Sequence, residues 1–223
     1  ARSSDSSSVF AYSKDAAGKS GSGAGFLPFI EDLIRGFLRS SGFKRIVDVV
    51  IRAMRMVLDK TPDAVLVIAG DQPQDMSRRV YRTSSIELIR ALKATMPALK
   101  VYAGIDPYRT GIKTELDYVK RKIDAGADGF FTQPFFDLRL MEIYCDLLAG
   151  LEVFWGISPV MSERSKDYWD NLNNAIFPPD FEPTLEWNRH LAQQAMAFAG
   201  QTGANIYFMP IRIDLVEYLQ GIL

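Results

Sequence analysis

Residues 114–137 read TELDYVKRKIDAGADGFFTQPFFD. Thr114-Glu115-Leu116-Asp117 opens a predicted helix whose apolar stripe is Leu116, Val119 and Ile123, at three-to-four-residue spacing. Asp124-Ala125-Gly126-Ala127 ends it, with the glycine as the stop signal. Phe130-Phe131-Thr132 follows as a short strand, Gln133-Pro134 interrupts it, and residues 137–149 return to helix. Short strands alternating with helices of ten or more residues imply a parallel sheet.

The same alternation extends in both directions. Toward the carboxyl end come a strand at Leu151–Ile157, helices at 163–174 and 184–200, a strand at Asn205–Met209 and a last helix at 213–222. Toward the amino end lies a strand at Leu99–Ile105. Before it is a helix at 84–96, opened by the capping-box spacing Ser84-Ser85-Ile86-Glu87 and closed by Pro97. Ala64-Val65-Leu66-Val67-Ile68 is continuously apolar, as expected of a parallel strand buried on both faces, and 44–60 reads as a helix. An open doubly wound sheet and a closed barrel both fit this order. The glycine fingerprint of a dinucleotide-binding sheet is incomplete, because Gly21, Gly23 and Gly25 have no later glycine to finish it. Residues 1–43 differ in composition: a Ser-, Gly- and Ala-rich start with one strand candidate at Val9–Tyr12, then a short helix at 26–39. The expected organisation is an irregular segment over 1–43 and a β/α domain over 44–223.

Composition narrows the function. The 223 residues carry 26 Lys and Arg against 27 Asp and Glu, a net charge of −1, which argues against a non-specific nucleic-acid binder. Apolar residues make up 48%, enough to offset the entropy of ordering most of the chain. A single cysteine, Cys145, excludes an internal disulfide framework and a multi-cysteine zinc site, and fits a reducing, cytoplasmic setting. No apolar run approaches the roughly 20 residues that span a bilayer. The one histidine, His190, lies mid-helix beside Leu191, Ala195 and Phe198 and reads as structural or superficial, so no metal site is expected.

Chemistry concentrates where strands end. Each strand runs into a proline-bearing loop: Gly70-Asp71-Gln72-Pro73, Gly104-Ile105-Asp106-Pro107, Thr132-Gln133-Pro134, Gly156-Ile157-Ser158-Pro159 and Met209-Pro210. Asp, Ser and Pro are good loop formers in any protein. In a parallel α/β fold, however, these carboxyl ends line the ligand crevice, so Asp71, Asp106, Gln133 and Ser158 are candidates for one shared mouth. Gly18-Lys19-Ser20 lacks the earlier glycine of a phosphate loop, since Ser13 stands there. Lys120-Arg121-Lys122 is either a solvated helix face or a source of one cation reaching back to hold a phosphate or ribityl chain. Phe130-Phe131 and Phe135-Phe136 suit either layer packing or stacking on a planar ligand.

Residues 119–128, VKRKIDAGAD, followed by Phe131-Thr132-Gln133-Pro134-Phe135-Phe136-Asp137, resemble the central signature of methylenetetrahydrofolate reductases, approximately L-K-x-K-V-D-A-G-A-D-x-x-x-T-Q-x-F-F-D. Gly156-Ile157-Ser158-Pro159-Val160 is similar to the family's G-I-x-P-[VI]. Gly70-Asp71-Gln72-Pro73 resembles its R-G-D-x-P, and Tyr207-Phe208 with Arg212 its F-Y-T-x-N-R. The resemblance covers about residues 60–223. It implies an eight-stranded (β/α)8 TIM barrel, incomplete at the amino end here, with FAD at the strand carboxyl ends. It further implies reduction of 5,10-methylenetetrahydrofolate to 5-methyltetrahydrofolate by NADH or NADPH. Carried over, Asp71 sits by the flavin pyrimidine and the pterin and stabilises the cationic iminium. Gln133 contacts the reacting substrate. Tyr81, Tyr102, Arg121 and Lys122 hold the flavin, and Arg212 supports the folate side. A homo-oligomer is compatible with this reading, with no nucleic-acid or membrane partner.

The departures define an alternative. Ala69 stands for the arginine of R-G-D, Asp106 for a histidine found in many members, and Glu163 for an aromatic that closes the folate site in some. The F-E-[FV]-x-P-P stretch, whose glutamate is the family's general acid, is not found in residues 1–43. The alternative is therefore a homologue that binds folate or flavin without reductase turnover. A barrel usually takes about 250 residues, and missing strands would leave unpaired edges. The sequence is accordingly expected to omit native segments, with 1–43 holding pieces of the early barrel. Intact-mass measurement on the natural polypeptide should exceed 25.0 kDa; a mass at that value would overturn the expectation.

Overall fold

The structure is a computed structural model that describes residues 6–12, 63–70, 83–211 and 213–222. The predicted helices at 26–39 and 44–60 and the Gly18-Lys19-Ser20 motif lie outside the described residues. The described residues divide between two compact units, those within 1–104 and 120–128 and those within 105–119 and 129–223.

In the first unit, β2 (Ala64–Gly70) pairs in parallel with β3 (Lys100–Ile105), with Val65 opposite Val101 and Val67 opposite Ala103. Those four side chains are buried, whereas Ala64, Leu66 and Ile68 on the other face are half-buried, so β2 is not buried on both faces as its apolar run predicts. β1 (Ser6–Tyr12) pairs with β2 in the antiparallel sense, Ser6 opposite Gly70 and Tyr12 opposite Ala64. The strand expected at Val9–Tyr12 is thus present and longer, and its direction departs from an all-parallel barrel. Helix α1 (Ser85–Thr95) has the predicted capping box: the Glu87 amide donates to Ser84 Oγ and the Ser84 amide donates to Glu87 Oε2. Its Ile86, Ile89 and Leu92 are buried at helical spacing.

Helix α2 (Ile112–Asp124) shows the largest departure from the predicted pattern. Val119 is buried, but Ile123 is 38% exposed, whereas Glu115 and Lys122 are only 1% and 4% exposed. Positions 115, 119 and 122 share a face at i, i+4 and i+7. The inward stripe therefore carries two charges that apolar periodicity assigns to solvent. The helix closes in a Schellman arrangement, Ala127 N–H donating to Lys122 C=O and Gly126 N–H to Ile123 C=O. Gly126 has φ +104°. Asp128 accepts the Val101 amide at 2.7 Å and pairs with Lys93 at 3.0 Å, tying this corner to β3 and α1.

The second unit holds β4 (Gly129–Pro134), β5 (Val153–Ile157) and β6 (Asn205–Phe208), paired in parallel in that order. Between them run α3 (Leu138–Leu147), α4 (Glu163–Asp167) and α5 (Leu185–Thr202), and α6 (Leu215–Leu219) follows. The helix expected at 163–174 is split: after one α-turn the chain continues as a π-helix over Tyr168–Leu172. The wider turn sets Trp169 inward, where it packs with Tyr108, Phe136, Val160 and Ala175. Thr184 caps α5 and left-handed Gly203 ends it. His190 is exposed, the superficial of the two roles the sequence left open. Among the described residues no helix is long and apolar enough to cross a membrane.

A β-carbon on Gly126 would meet Lys93 Cγ at 3.0 Å in a backbone conformation that L side chains avoid. Gly126→Ala should lower stability by about 1–3 kcal/mol, measured as a reduced urea midpoint at unchanged slope.

Candidate functional site

The signature Thr132–Asp137 divides its labour residue by residue. Along β4 and β5, Phe131 pairs with Phe154 and Pro134 with Gly156, so β4 carries one extra residue at Thr132-Gln133. Such a bulge re-aims a side chain. Thr132 is buried, and its Oγ1 accepts the Gly156 amide at 2.9 Å. The Phe135 amide donates back to the Gly156 carbonyl at 2.8 Å. Gln133, between these ties, is half-buried, and its amide group has no hydrogen-bond partner among the described residues. The Pro134 carbonyl accepts the Tyr108 hydroxyl at 2.9 Å.

Phe135 and Phe136 are fully buried, which decides between ligand stacking and packing. Phe135 meets Tyr144 and Trp155, and Phe136 stacks on Phe177 at 4.6 Å. Asp137 caps α3: its Oδ1 accepts the Arg139 amide at 2.9 Å, and its Oδ2 pairs with Arg139 Nη2 at 2.6 Å. Those hydrogen bonds hold its carboxyl below the usual range.

The neighbouring loops of this unit are equally tied. Asp106 Oδ1 accepts the amides of Tyr108 and Arg109, an Asx-type turn, so this carboxylate shapes its own loop. Buried Glu115 accepts the Asp106 amide at 3.2 Å and pairs with Arg109 at 3.6 Å. Arg109 also lies over the Tyr118 ring. Burial pushes the Tyr108 phenol well up, and nearby Asp106 and Asp137 push the same way, so it stays a donor to Pro134. Tyr144 is likewise pushed up to about 12. Ser158, expected at the mouth, is instead fully buried and donates to the Met209 carbonyl at 2.8 Å, bridging the ends of β5 and β6. Buried Asn188 on α5 holds Val160 from both sides, accepting its amide and donating to its carbonyl, each at 2.9 Å.

The expected flavin-binding residues that are described lie in the first unit. Tyr102 is half-buried on β3, opposite Leu66. Lys122 does reach back: its ammonium donates to the Gly104 carbonyl at 2.5 Å, at the carboxyl end of β3. Arg121 is exposed and lines a cleft of about 310 Å³ with Ser84, Glu87, Arg90 and Asp124. Asp71, Tyr81 and Arg212 lie outside the described residues. The roles of Glu115 and Asn188 escaped sequence reading. A charged residue in register with a buried valine was the only signal for Glu115, and none marked Asn188.

Parallel strands alternating with helices, with polar groups gathered in loops after the strands, define an α/β protein consistent with part of a β/α barrel. The chain belongs to the methylenetetrahydrofolate reductase family, whose profile matches residues 48–199. The 5,10-methylenetetrahydrofolate reductase of Escherichia coli K12 is 26% identical, over 54% of this chain and 48% of that protein. The Salmonella typhimurium enzyme of the same name is 25% identical over 51% and 40%. The chain thus spans about half the length of the curated relatives it matches. A crystal structure of 2,3-dimethylmalate lyase aligns at TM-score 0.40 and 17% identity over 78% of this chain and 66% of that one, a likeness too slight to bear on fold or activity.

Asp137 titrates lower in the folded chain than its ordinary value of 3.8. Its contribution to stability is therefore complete above that value and lost as pH falls through the lowered one. Asp137→Asn should flatten the acid limb of stability, measured by urea unfolding from pH 6 downward, roughly at and below pH 4.

Proposed function

We propose that this chain belongs to a flavin-dependent enzyme that reduces 5,10-methylenetetrahydrofolate to 5-methyltetrahydrofolate, with NADH or NADPH as hydride donor. The observation that carries this reading is the family match across a signature whose Thr132–Asp137 stretch leaves Gln133, on a bulge at the end of β4, without a side-chain hydrogen bond among the described residues. A neutral amide both donates and accepts hydrogen bonds, so Gln133 can orient a reacting substrate without exchanging a proton with it.

The described donors suit FAD. A pyrophosphate and a hydroxyl-rich ribityl chain call for cations and hydrogen-bonding groups. Lys122 offers a buried cation at the carboxyl end of β3, Arg121 an exposed guanidinium, and Tyr102 a half-buried phenol. Asp71 and Tyr81 would complete that set, and Arg212 would hold the folate side. When bound, FAD supplies the hydride chemistry, and the protein supplies position and charge. In this reading the Asp71 carboxylate stabilises the cationic iminium. We place the protein in the cytoplasm, and assembly into a homo-oligomer is compatible with this role.

The native protein should purify yellow, with a flavin absorption band that NADH bleaches under anaerobic conditions and that methylenetetrahydrofolate restores. Failure to bind flavin, with added FAD unable to restore NADH oxidation, would overturn the reading. Folate binding by calorimetry without turnover would instead identify the binding homologue that Ala69 and Asp106 suggest.

A further inference from the structure

We propose that the Tyr207 hydroxyl is a positioning group for Gln133: it reaches from β6 across β5, over Gly156, and holds the Thr132 carbonyl, fixing the bulge that presents Gln133. The idea rests on the functional reading above only for what Gln133 does; the clamp itself stands on geometry.

Three observations within the second unit converge. First, the Tyr207 hydroxyl donates to the Thr132 carbonyl, the backbone group immediately before Gln133. Second, the residue between them is a glycine for a steric reason. Gly156 pairs directly with Tyr207, and a β-carbon there would fall 2.8 Å from the phenol oxygen and 3.1 Å from the Thr132 carbonyl oxygen. Any side chain at 156 would therefore displace the phenol. Third, Thr132 is gripped twice, because its Oγ1 also accepts the Gly156 amide. An extra strand residue upsets the ladder around it, and a buried carbonyl needs a partner. The phenol supplies that partner from a strand away.

The ring alone cannot do this. Its edge packs on Phe131 at a centroid distance of 5.3 Å, a contact that phenylalanine would reproduce, whereas only the hydroxyl reaches Thr132. Burial pushes the phenol upward from its ordinary value, so it remains a donor at neutral pH.

The test is Tyr207→Phe in the full chain, alone and combined with Gln133→Ala. In the unliganded protein, amide exchange at Gly156 and Phe135, both bonded into the clamp, should accelerate about three- to tenfold, the scale of one lost hydrogen bond, while exchange along α5 stays unchanged. In the flavin-loaded enzyme, kcat/KM for methylenetetrahydrofolate should fall about three- to tenfold, with no further loss when the substitution is made in the Gln133→Ala background. Gly156→Ala should reproduce the exchange result. Unchanged exchange at the two amides would overturn the clamp. An equal effect of Tyr207→Phe in both backgrounds would overturn its action through Gln133. If the unsubstituted protein does not turn over, the reductase reading fails, and the exchange comparison still decides the clamp.

Discussion

A strand can take in one extra residue only if the backbone groups it disturbs find other partners. In the second unit that constraint falls on Thr132-Gln133, and three strands meet it together. Thr132 receives the Gly156 amide on its side chain and the Tyr207 hydroxyl on its carbonyl. Phe135 returns a hydrogen bond to Gly156, and Pro134 accepts one from Tyr108. With both flanks tied, Gln133 is the residue left with an open polar group. The same corner sets the next helix, since Asp137 caps α3 five residues after Thr132.

The family signature is therefore mostly architecture. In Asp124–Asp128 the glycine allows the left-handed closure of α2, and Asp128 ties that closure to Lys93 and the Val101 amide. In Thr132–Asp137 the two phenylalanines fill the core and the aspartate caps a helix. Such a motif can be strongly retained in sequence while only one or two of its side chains face chemistry. The loop after β3 follows the same logic. Asp106 spends an oxygen on its own turn, and Glu115 braces that turn from α2.

Helix ends and buried strands were legible because their causes are local. Ser84 with Glu87, Thr184 and Gly203 announce helix ends by groups that bond within a few residues. The apolar run at 64–68 announces a strand by composition, although only Val65 and Val67 in it are fully buried. Where partners are distant, reading by periodicity failed. Ile123 belongs to the apolar pattern of α2 yet faces outward, while Lys122 turns inward because the Gly104 carbonyl awaits it. Ser158 looked like a mouth residue, but the Met209 carbonyl 51 positions away draws its hydroxyl inward. The π-helix at Tyr168–Leu172 follows from the aromatic cluster that Trp169 must join.

By itself, the sequence determined the α/β class, most element positions and the signature that places the chain in its family. These depend on side-chain periodicity, capping and residue order, all readable along the chain. Only the tertiary structure decided which polar residues are spent and which remain open. Hydrogen-bond satisfaction is settled by partners brought together across strands, as Tyr207, Gly156 and Thr132 are. That is why the open hydrogen-bonding capacity of Gln133, a residue the sequence already singled out, and the hydroxyl that holds the carbonyl before it emerge only from the fold.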